Sequence, residues 1–130
     1  MEALEIESTK KTPEAKLRDG LISLKGVSIP ENPKKIYSPI LKWLKDYAVS
    51  PAIITVIDLD FEYLDTASSK WIINILKEIY PIFKSNNEVV VNWYFEVGDD
   101  DMYDLGEYIQ SNLGIPFTFI EKKENISTSL

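Results

Sequence analysis

A cluster of hydroxyl side chains follows the strongest strand pattern in the sequence. Thr66, Ser68 and Ser69 come after a β-branched run, residues 53–57, and before a helical pattern of apolar residues. A hydroxyl at the N-terminus of a helix lies beside free backbone N–H groups, where a phosphate would be stabilised. The same residue types, with Asp65 before them, are also ordinary helix caps. The cluster therefore allows two interpretations: a phosphorylation site, or a helix cap with no further role.

Two other groups of residues have side chains that could do chemistry. Ser68 or Ser69, next to Lys70, could be the nucleophile of a small α/β hydrolase-like or transferase domain, but no oxyanion hole or third partner is evident. Three consecutive acids, residues 99–101, could bind a hard cation, but they lack the spaced ligands of a calcium loop. We expect these acids to complement the positive end of a helix. The sequence predicts no metal site, no catalytic residue and no cofactor.

The composition lowers the expectation of enzyme activity and of binding to anionic polymers. The 130 residues include no histidine and no cysteine, which are the commonest general base and a common nucleophile. The formal net charge is −7, so phosphate backbones and anionic membrane surfaces are unfavourable partners. Arg18 is the only arginine, so an arginine cluster for anion binding is not available. We expect no nucleic-acid partner and no membrane partner.

The length and the hydropathy pattern predict one domain in the cytoplasm. No apolar run approaches the roughly 20 residues that a membrane span needs, and the N-terminus lacks the basic and apolar regions of a signal peptide. We expect a single α/β regulatory domain over residues 1–122. Residues 123–130 are polar, and we expect them to be a flexible C-terminal tail.

The elements that must position the hydroxyl cluster alternate along the chain. Strand patterns cover residues 4–7, 20–25, 52–59, 89–95 and 115–120, and residues 8–14 look like a loop. Helical patterns begin at Pro33, near Ala67 and near Met102, and Gly114 is a plausible end for the last of them. The order β-β-α-β-α-β-α-β predicts an α/β fold, a single mixed sheet of about five strands with about three helices packed on it. The hydroxyl cluster would lie at the carboxyl end of the third strand, where functional groups collect in such sheets.

The cluster also lies in a motif that resembles a known family. Residues 63–70, Tyr-Leu-Asp-Thr-Ala-Ser-Ser-Lys, resemble the Tyr-Leu-Asn-Thr-Ser-Ser-x-Lys signature of the SiaC-type regulatory phosphoproteins. Asp65 stands in place of the more usual asparagine, and Ala67 in place of a serine. Softer similarities in the same order cover most of the chain: Thr12-Pro13, residues 20–26, residues 28–32, Trp43, Trp93-Tyr94 and Pro116-Phe117. The pattern also resembles STAS domains, which carry a phosphoacceptor at the same kind of strand-to-helix junction, and so implies a STAS-like fold.

The resemblance implies a non-enzymatic bacterial signalling protein that is switched by reversible threonine phosphorylation. A serine/threonine kinase would modify Thr66 and a metal-dependent phosphatase would reverse the modification. The unmodified protein would bind and activate an effector such as a diguanylate cyclase, in cyclic-di-GMP signalling and biofilm regulation.

We expect Thr66 to lie within two residues of the start of the second main helix, with its side chain at least partly exposed. The expected partner surface comprises Asp60, Glu62, Tyr63, Asp65, Ser68, Ser69 and Lys70. The alternatives are the serine-dependent enzyme and a purely structural interaction subunit, whose acidic surface keeps it soluble.

Overall fold

The computed structural model describes residues 1–123, which form one mixed six-stranded sheet with helices packed on it. The strands are β1 (Leu4–Ile6), β2 (Glu14–Arg18), β3 (Leu21–Ser28), β4 (Ile54–Leu64), β5 (Glu88–Glu96) and β6 (Phe117–Lys122). The helices are α1 (Pro33–Tyr47), α2 (Thr66–Lys77), α3 (Tyr80–Phe83) and α4 (Asp100–Leu113). The strands lie in chain order across the sheet. The pairs β1–β2 and β2–β3 are antiparallel, and the pairs β3–β4, β4–β5 and β5–β6 are parallel. The predicted α/β class and mixed sheet are confirmed. The predicted tail lies outside the described residues except for Lys123.

The helices cover one face of the sheet. Each parallel connection, through α1, α2 and α4, moves one strand further in the same direction, and right-handed crossovers then place all three helices on the same side. Along β4, residues Ile57, Leu59 and Phe61 are buried, whereas Asp58 and Asp60 between them point to the uncovered face. Helix α2 lies in the middle of the helical layer and contacts both α1 and α4.

The sequence pattern does not predict β2: residues 8–14 look like a loop, and the next strand pattern begins at Gly20. Glu, Ala, Lys, Leu and Arg are all good helix formers, so local propensity did not indicate a strand there. Ala15 and Leu17 are nevertheless buried between exposed charges, and β2 pairs with both β1 and β3. Tertiary pairing therefore decides this element.

The second predicted helix is interrupted. Helix α2 ends at Lys77, and a separate single turn, α3, follows with Pro81 near its start. Because proline lacks an N–H and its ring clashes with the carbonyl of the preceding turn, α2 cannot continue through Pro81. The predicted end of α4 is confirmed, since Gly114 adopts a left-handed conformation with φ = 73°.

Close packing at Gly106 holds α4 against the sheet. Trp93 on β5 is fully buried, and its indole N–H donates a hydrogen bond to the carbonyl oxygen of Met102 at 3.0 Å. A Cβ atom on Gly106 would lie only 2.5 Å from the indole nitrogen.

Within residues 1–123, no helix has the length and apolar character needed to span a membrane.

Candidate functional site

The site lies where β4 turns into α2. Strand β4 ends at Leu64, and Asp65 takes an extended conformation with φ = −75° and ψ = 173° before the helix begins. The Asp65 carboxylate accepts a hydrogen bond from the backbone N–H of Ser68 at 2.8 Å, and its carbonyl oxygen accepts one from the N–H of Ser69 at 2.9 Å. Asp65 is therefore the helix cap.

Thr66 is the first residue of α2, and its side chain is exposed. The expectation for its position and exposure is confirmed. Asp65 accepts hydrogen bonds from the N–H groups of Ser68 and Ser69. The N–H groups of Thr66 and Ala67 have no partner among the residues that the structure describes. The Thr66 hydroxyl thus lies in solvent beside free donors at the positive end of a helix, and it is not needed for capping.

Ser68 and Ser69 are buried beneath the helix start, with exposed fractions of 0% and 6%. The Ser68 hydroxyl is 2.8 Å from the Ser28 hydroxyl and donates to the Ser28 carbonyl oxygen at 3.3 Å. The Ser69 hydroxyl donates to the carbonyl oxygen of Asp65 at 3.0 Å. Both serines were expected on the partner surface; the structure places them inside because α2 turns this face toward the sheet. Neither hydroxyl is free to attack a substrate in this conformation.

A buried chain of hydroxyls supports the site from below. Tyr37 on α1 lies with its hydroxyl 2.5 Å from that of Ser28, which in turn reaches Ser68. The Tyr37 ring also stacks on Trp71 of α2, with ring centroids 6.1 Å apart. Burial raises the pKa of Tyr37 and the nearby Asp65 carboxylate adds to this effect, while the hydrogen bonds to Ser28 and Ser68 oppose it. This chain fixes α1, β3 and α2 relative to one another.

The supporting residues Ser28 and Tyr37 were missed in the sequence analysis. A serine at the end of a strand and a tyrosine one turn into the next helix are both common, and only the fold shows that they meet Ser68. The available signal was weak: a hydroxyl residue at the carboxyl end of the strand before α1.

The remaining predicted partner residues separate into two places. Glu62, Tyr63 and Lys70 are exposed near the start of α2, and 55% of the Tyr63 surface is accessible. Asp60 is instead half-buried on the uncovered face of the sheet, where the ammonium of Lys122 binds it at 2.8 Å. This hydrogen bond raises the pKa of Lys122. Leu64 is four residues further along β4 than Asp60, a span of about 13 Å, so Asp60 lies more than one Debye length of roughly 8 Å from the helix start.

The expected capping role of the acids before α4 is confirmed. The Asp99 carboxylate accepts a hydrogen bond from the backbone N–H of Met102 at 3.0 Å, and Asp100 and Asp101 occupy the first turn. Helices α1, α2 and α4 each follow a parallel strand, so their N-termini lie at the same edge of the sheet. Thr66 therefore lies between the first turn of α1, with Lys34 and Lys35, and the acidic first turn of α4.

With this geometry established, comparison with known proteins identifies the family. The model for "SiaC family regulatory phosphoprotein" matches residues 6–122. This chain belongs to the SiaC family. The match includes the whole motif of residues 63–70 and confirms the resemblance on which the sequence analysis relied.

Individual relatives and solved structures are consistent with this assignment. An uncharacterized protein of Pseudomonas aeruginosa strain UCBPP-PA14 is 24% identical over 119 residues, covering 90% of this chain and 94% of the relative. The crystal structure of apo-SiaC from Pseudomonas aeruginosa matches with a TM-score of 0.81 and 24% identity, covering 92% of this chain and 99% of that chain. A chain in the crystal structure of the Pseudomonas aeruginosa diguanylate cyclase SiaD with its activator SiaC matches with a TM-score of 0.82, 24% identity and the same coverages. At this identity the solved structures establish a common fold.

Proposed function

We propose that this SiaC-family protein is a non-enzymatic signalling protein that binds a protein effector and releases it when Thr66 is phosphorylated. The observation that carries the proposal is the position of Thr66. Its exposed hydroxyl is the first side chain of α2, beside two free backbone N–H groups, while Asp65 does the capping.

The fold should tolerate a phosphate at this position. Phosphorylation adds a charge of about −1.5 to −2 at pH 7, and the positive end of the helix contributes roughly 0.3–1 kcal/mol of stabilisation to a negative group there. Lys70 lies one helical turn further along and is exposed, so it can partly offset repulsion from Asp65 and Glu62. Phosphorylation would therefore leave the structure intact.

A bound effector should not tolerate the phosphate if the interface covers the Thr66 hydroxyl. Burying a dianion without matched partners costs several kcal/mol. A micromolar complex has only about 8 kcal/mol of binding free energy, so such a cost weakens it by orders of magnitude. The switch then acts by removing a docking surface, with no large conformational change.

The docking surface that we propose is smaller than the one expected from the sequence. It comprises Glu62, Tyr63, Asp65, Thr66 and Lys70, all exposed or half-buried around the helix start. Asp60 is left out because it is paired with Lys122 on the other face of the sheet, and Ser68 and Ser69 are left out because they are buried.

The proposed partners are those that the family resemblance implies. SiaC of Pseudomonas aeruginosa is described as the activator of the diguanylate cyclase SiaD in their complex. We propose a diguanylate cyclase as the effector of this chain, a serine/threonine kinase for Thr66, and a metal-dependent phosphatase that restores the hydroxyl. The absence of histidine and cysteine from the sequence and the burial of Ser68 and Ser69 support a regulatory role over an enzymatic one.

Intact mass measurement of the protein purified from its native host tests this function. We expect a species about 80 Da heavier, the mass of one phosphoryl group, with the modification on Thr66. The Thr66→Ala variant should lack this species, while Thr118→Ala, which changes an exposed threonine on β6, should retain it. Unmodified protein under all growth conditions, or a phosphate on another residue, would overturn the proposal.

A further inference from the structure

A groove lies beside Tyr63, between the end of β4 and the first turns of α4. Its volume is about 170 Å³. Leu64 and Met102 are buried at its base, and Leu105 and Tyr63 contribute apolar surface. The acids that line it are Glu62, Asp99 and Asp101.

The apolar surface continues along α4. Asp101, Leu105 and Tyr108 are spaced four and three residues apart, so they share one side of the helix. Tyr63 and Tyr108 are 55% and 59% exposed, so both aromatic side chains are accessible to a partner. Together with Leu105 they form an apolar strip at the edge of the groove.

The charged residues of α4 have one sign. The helix carries Asp100, Asp101, Asp104 and Glu107 and no lysine or arginine, and Glu62 and Asp99 add two more acids at the groove. Helix α1, on the opposite side of α2, carries four lysines and a single acid, Asp46. The negative charge is thus concentrated on the α4 side, next to the apolar strip.

We infer that this groove docks a basic amphipathic segment of a protein partner, with an apolar side chain between Tyr63 and Leu105 and lysine or arginine side chains toward the acids. The inference rests on the proposed binding function and specifies the chemistry of the partner. Exposed aromatic residues supply anchors, and the surrounding acids attract and orient a basic segment.

The groove and the phosphorylation site have different roles in this arrangement. Charge alone would attract a basic segment more strongly to the phosphorylated chain. Phosphorylation must therefore release the effector by blocking contact and by the cost of burying the phosphate at Thr66, while the groove supplies affinity and orientation.

Two synthetic peptides test the inference on the full chain. Each is an amphipathic helix of about 18 residues with the same leucine face, and its polar face carries either lysine or glutamate. In NMR titrations of the ¹⁵N-labelled protein, we expect the lysine peptide to cause saturable shifts centred on Tyr63, Leu105 and Tyr108, and the glutamate peptide to cause none. Shifts centred elsewhere, or non-saturating shifts at all acids, would overturn the inference.

Matched charge variants separate the groove from the net charge of the molecule. The double variant Asp101→Asn/Asp104→Asn should weaken binding of the lysine peptide about fivefold, as expected for two exposed ion pairs. The control Glu88→Gln/Glu121→Gln removes the same charge from exposed residues on β5 and β6, and it should change affinity less than twofold. Equal losses in the two variants would mean that binding is only a general electrostatic effect.

A second pair of variants tests the apolar contact. Leu105→Ala should weaken binding of the lysine peptide more than Val49→Ala, which changes a side chain that is 85% exposed at the end of α1. Light scattering at the NMR concentration should show a monomer; a dimer that the lysine peptide cannot dissociate would assign the groove to a second copy of this chain.

These titrations use unphosphorylated protein, so their outcome does not depend on Thr66 modification. Failure of the groove to bind the lysine peptide overturns this inference and leaves the switch intact. Absence of phosphate on Thr66 in the host would overturn the proposed function instead.

Discussion

The carboxylate of Asp65 accepts a hydrogen bond from the backbone N–H of Ser68 at 2.8 Å. This contact assigns the capping of α2 to Asp65 and not to a hydroxyl side chain of the cluster. Asp65 fixes the start of α2, and the neighbouring Thr66 hydroxyl stays exposed and without a structural role. An enzyme can modify such a residue without disrupting the helix on which it lies.

The different roles of Asp65 and Thr66 predict different stabilities for their alanine variants. Asp65→Ala should lower the free energy of unfolding by about 0.5–2 kcal/mol, because it removes the helix cap. Thr66→Ala should cost less than about 0.5 kcal/mol, because the exposed side chain makes no capping bond. Urea denaturation followed by circular dichroism measures both. A larger loss for Thr66→Ala than for Asp65→Ala would contradict the assignment of the cap.

Burial should restrict phosphorylation to one hydroxyl of the cluster. We expect the cognate kinase to modify Thr66 and to leave Ser68 and Ser69 unmodified, since both are buried and hydrogen-bonded. Thr66→Ser should restore an acceptor and Thr66→Ala should remove it, as measured by phosphopeptide mapping. Phosphate on Ser68 or Ser69 in the alanine variant would show that the helix start opens during the reaction.

The buried hydroxyl chain predicts a stability difference that depends on pH. Tyr37→Phe should cost about 1 kcal/mol near neutral pH, because it removes the hydrogen bond to Ser28. Folding raises the pKa of Tyr37 above its usual 10.0. Neutral Tyr37 therefore contributes its full share of the free energy of unfolding below pH 10, and this contribution is lost as the pH rises through the pKa of the folded state. The phenylalanine variant lacks this loss, and the difference from wild type should shrink above pH 10.

Urea titrations at pH 8 and pH 10.5 test this prediction. Tyr108→Phe is the control, since its side chain is exposed on α4, and it should match wild type at both pH values. A Tyr37→Phe difference that stays constant between the two pH values would contradict the link between burial and titration.

Packing at Gly106 reverses the usual effect of alanine in a helix. Gly→Ala in a helix interior usually stabilises by up to about 1 kcal/mol. Here the added Cβ would lie 2.5 Å from the buried indole nitrogen of Trp93, so we expect Gly106→Ala to destabilise by about 1–3 kcal/mol. Glu107→Ala, at the next and exposed position, should be nearly neutral. Thermal unfolding of the three proteins gives the ranking, and a stabilised Gly106→Ala would contradict the packing.

Local patterns were sufficient for the elements that position Thr66. The β-branched run before it and the apolar period after it are strong signals, and they predict a strand over residues 52–59 and the start of α2; β4 continues five residues further, to Leu64. The pattern was insufficient for β2, because its residues favour helix and only pairing with β1 and β3 makes it a strand.

The direction of side chains on α2 could not be predicted from residue type. Ser68 and Ser69 are polar and were assigned to the partner surface, but the fold supplies buried hydrogen-bond partners, Ser28 and the Asp65 backbone. Asp60 was grouped with Thr66 because it is close in sequence. The strand places it about 13 Å before the helix and turns it to the opposite face of the sheet.

The central claim is that phosphorylation of Thr66 controls the binding of a protein effector. Titration calorimetry of the proposed effector, a diguanylate cyclase of the host, with unmodified protein, Thr66-phosphorylated protein and the Thr66→Glu variant tests it most directly at physiological salt. We expect the unmodified protein to bind most tightly, Thr66→Glu to bind more weakly because one charge must be buried in the interface, and the phosphoprotein to bind most weakly because nearly two must be buried. Equal affinities for phosphorylated and unmodified protein would contradict control of this effector by Thr66.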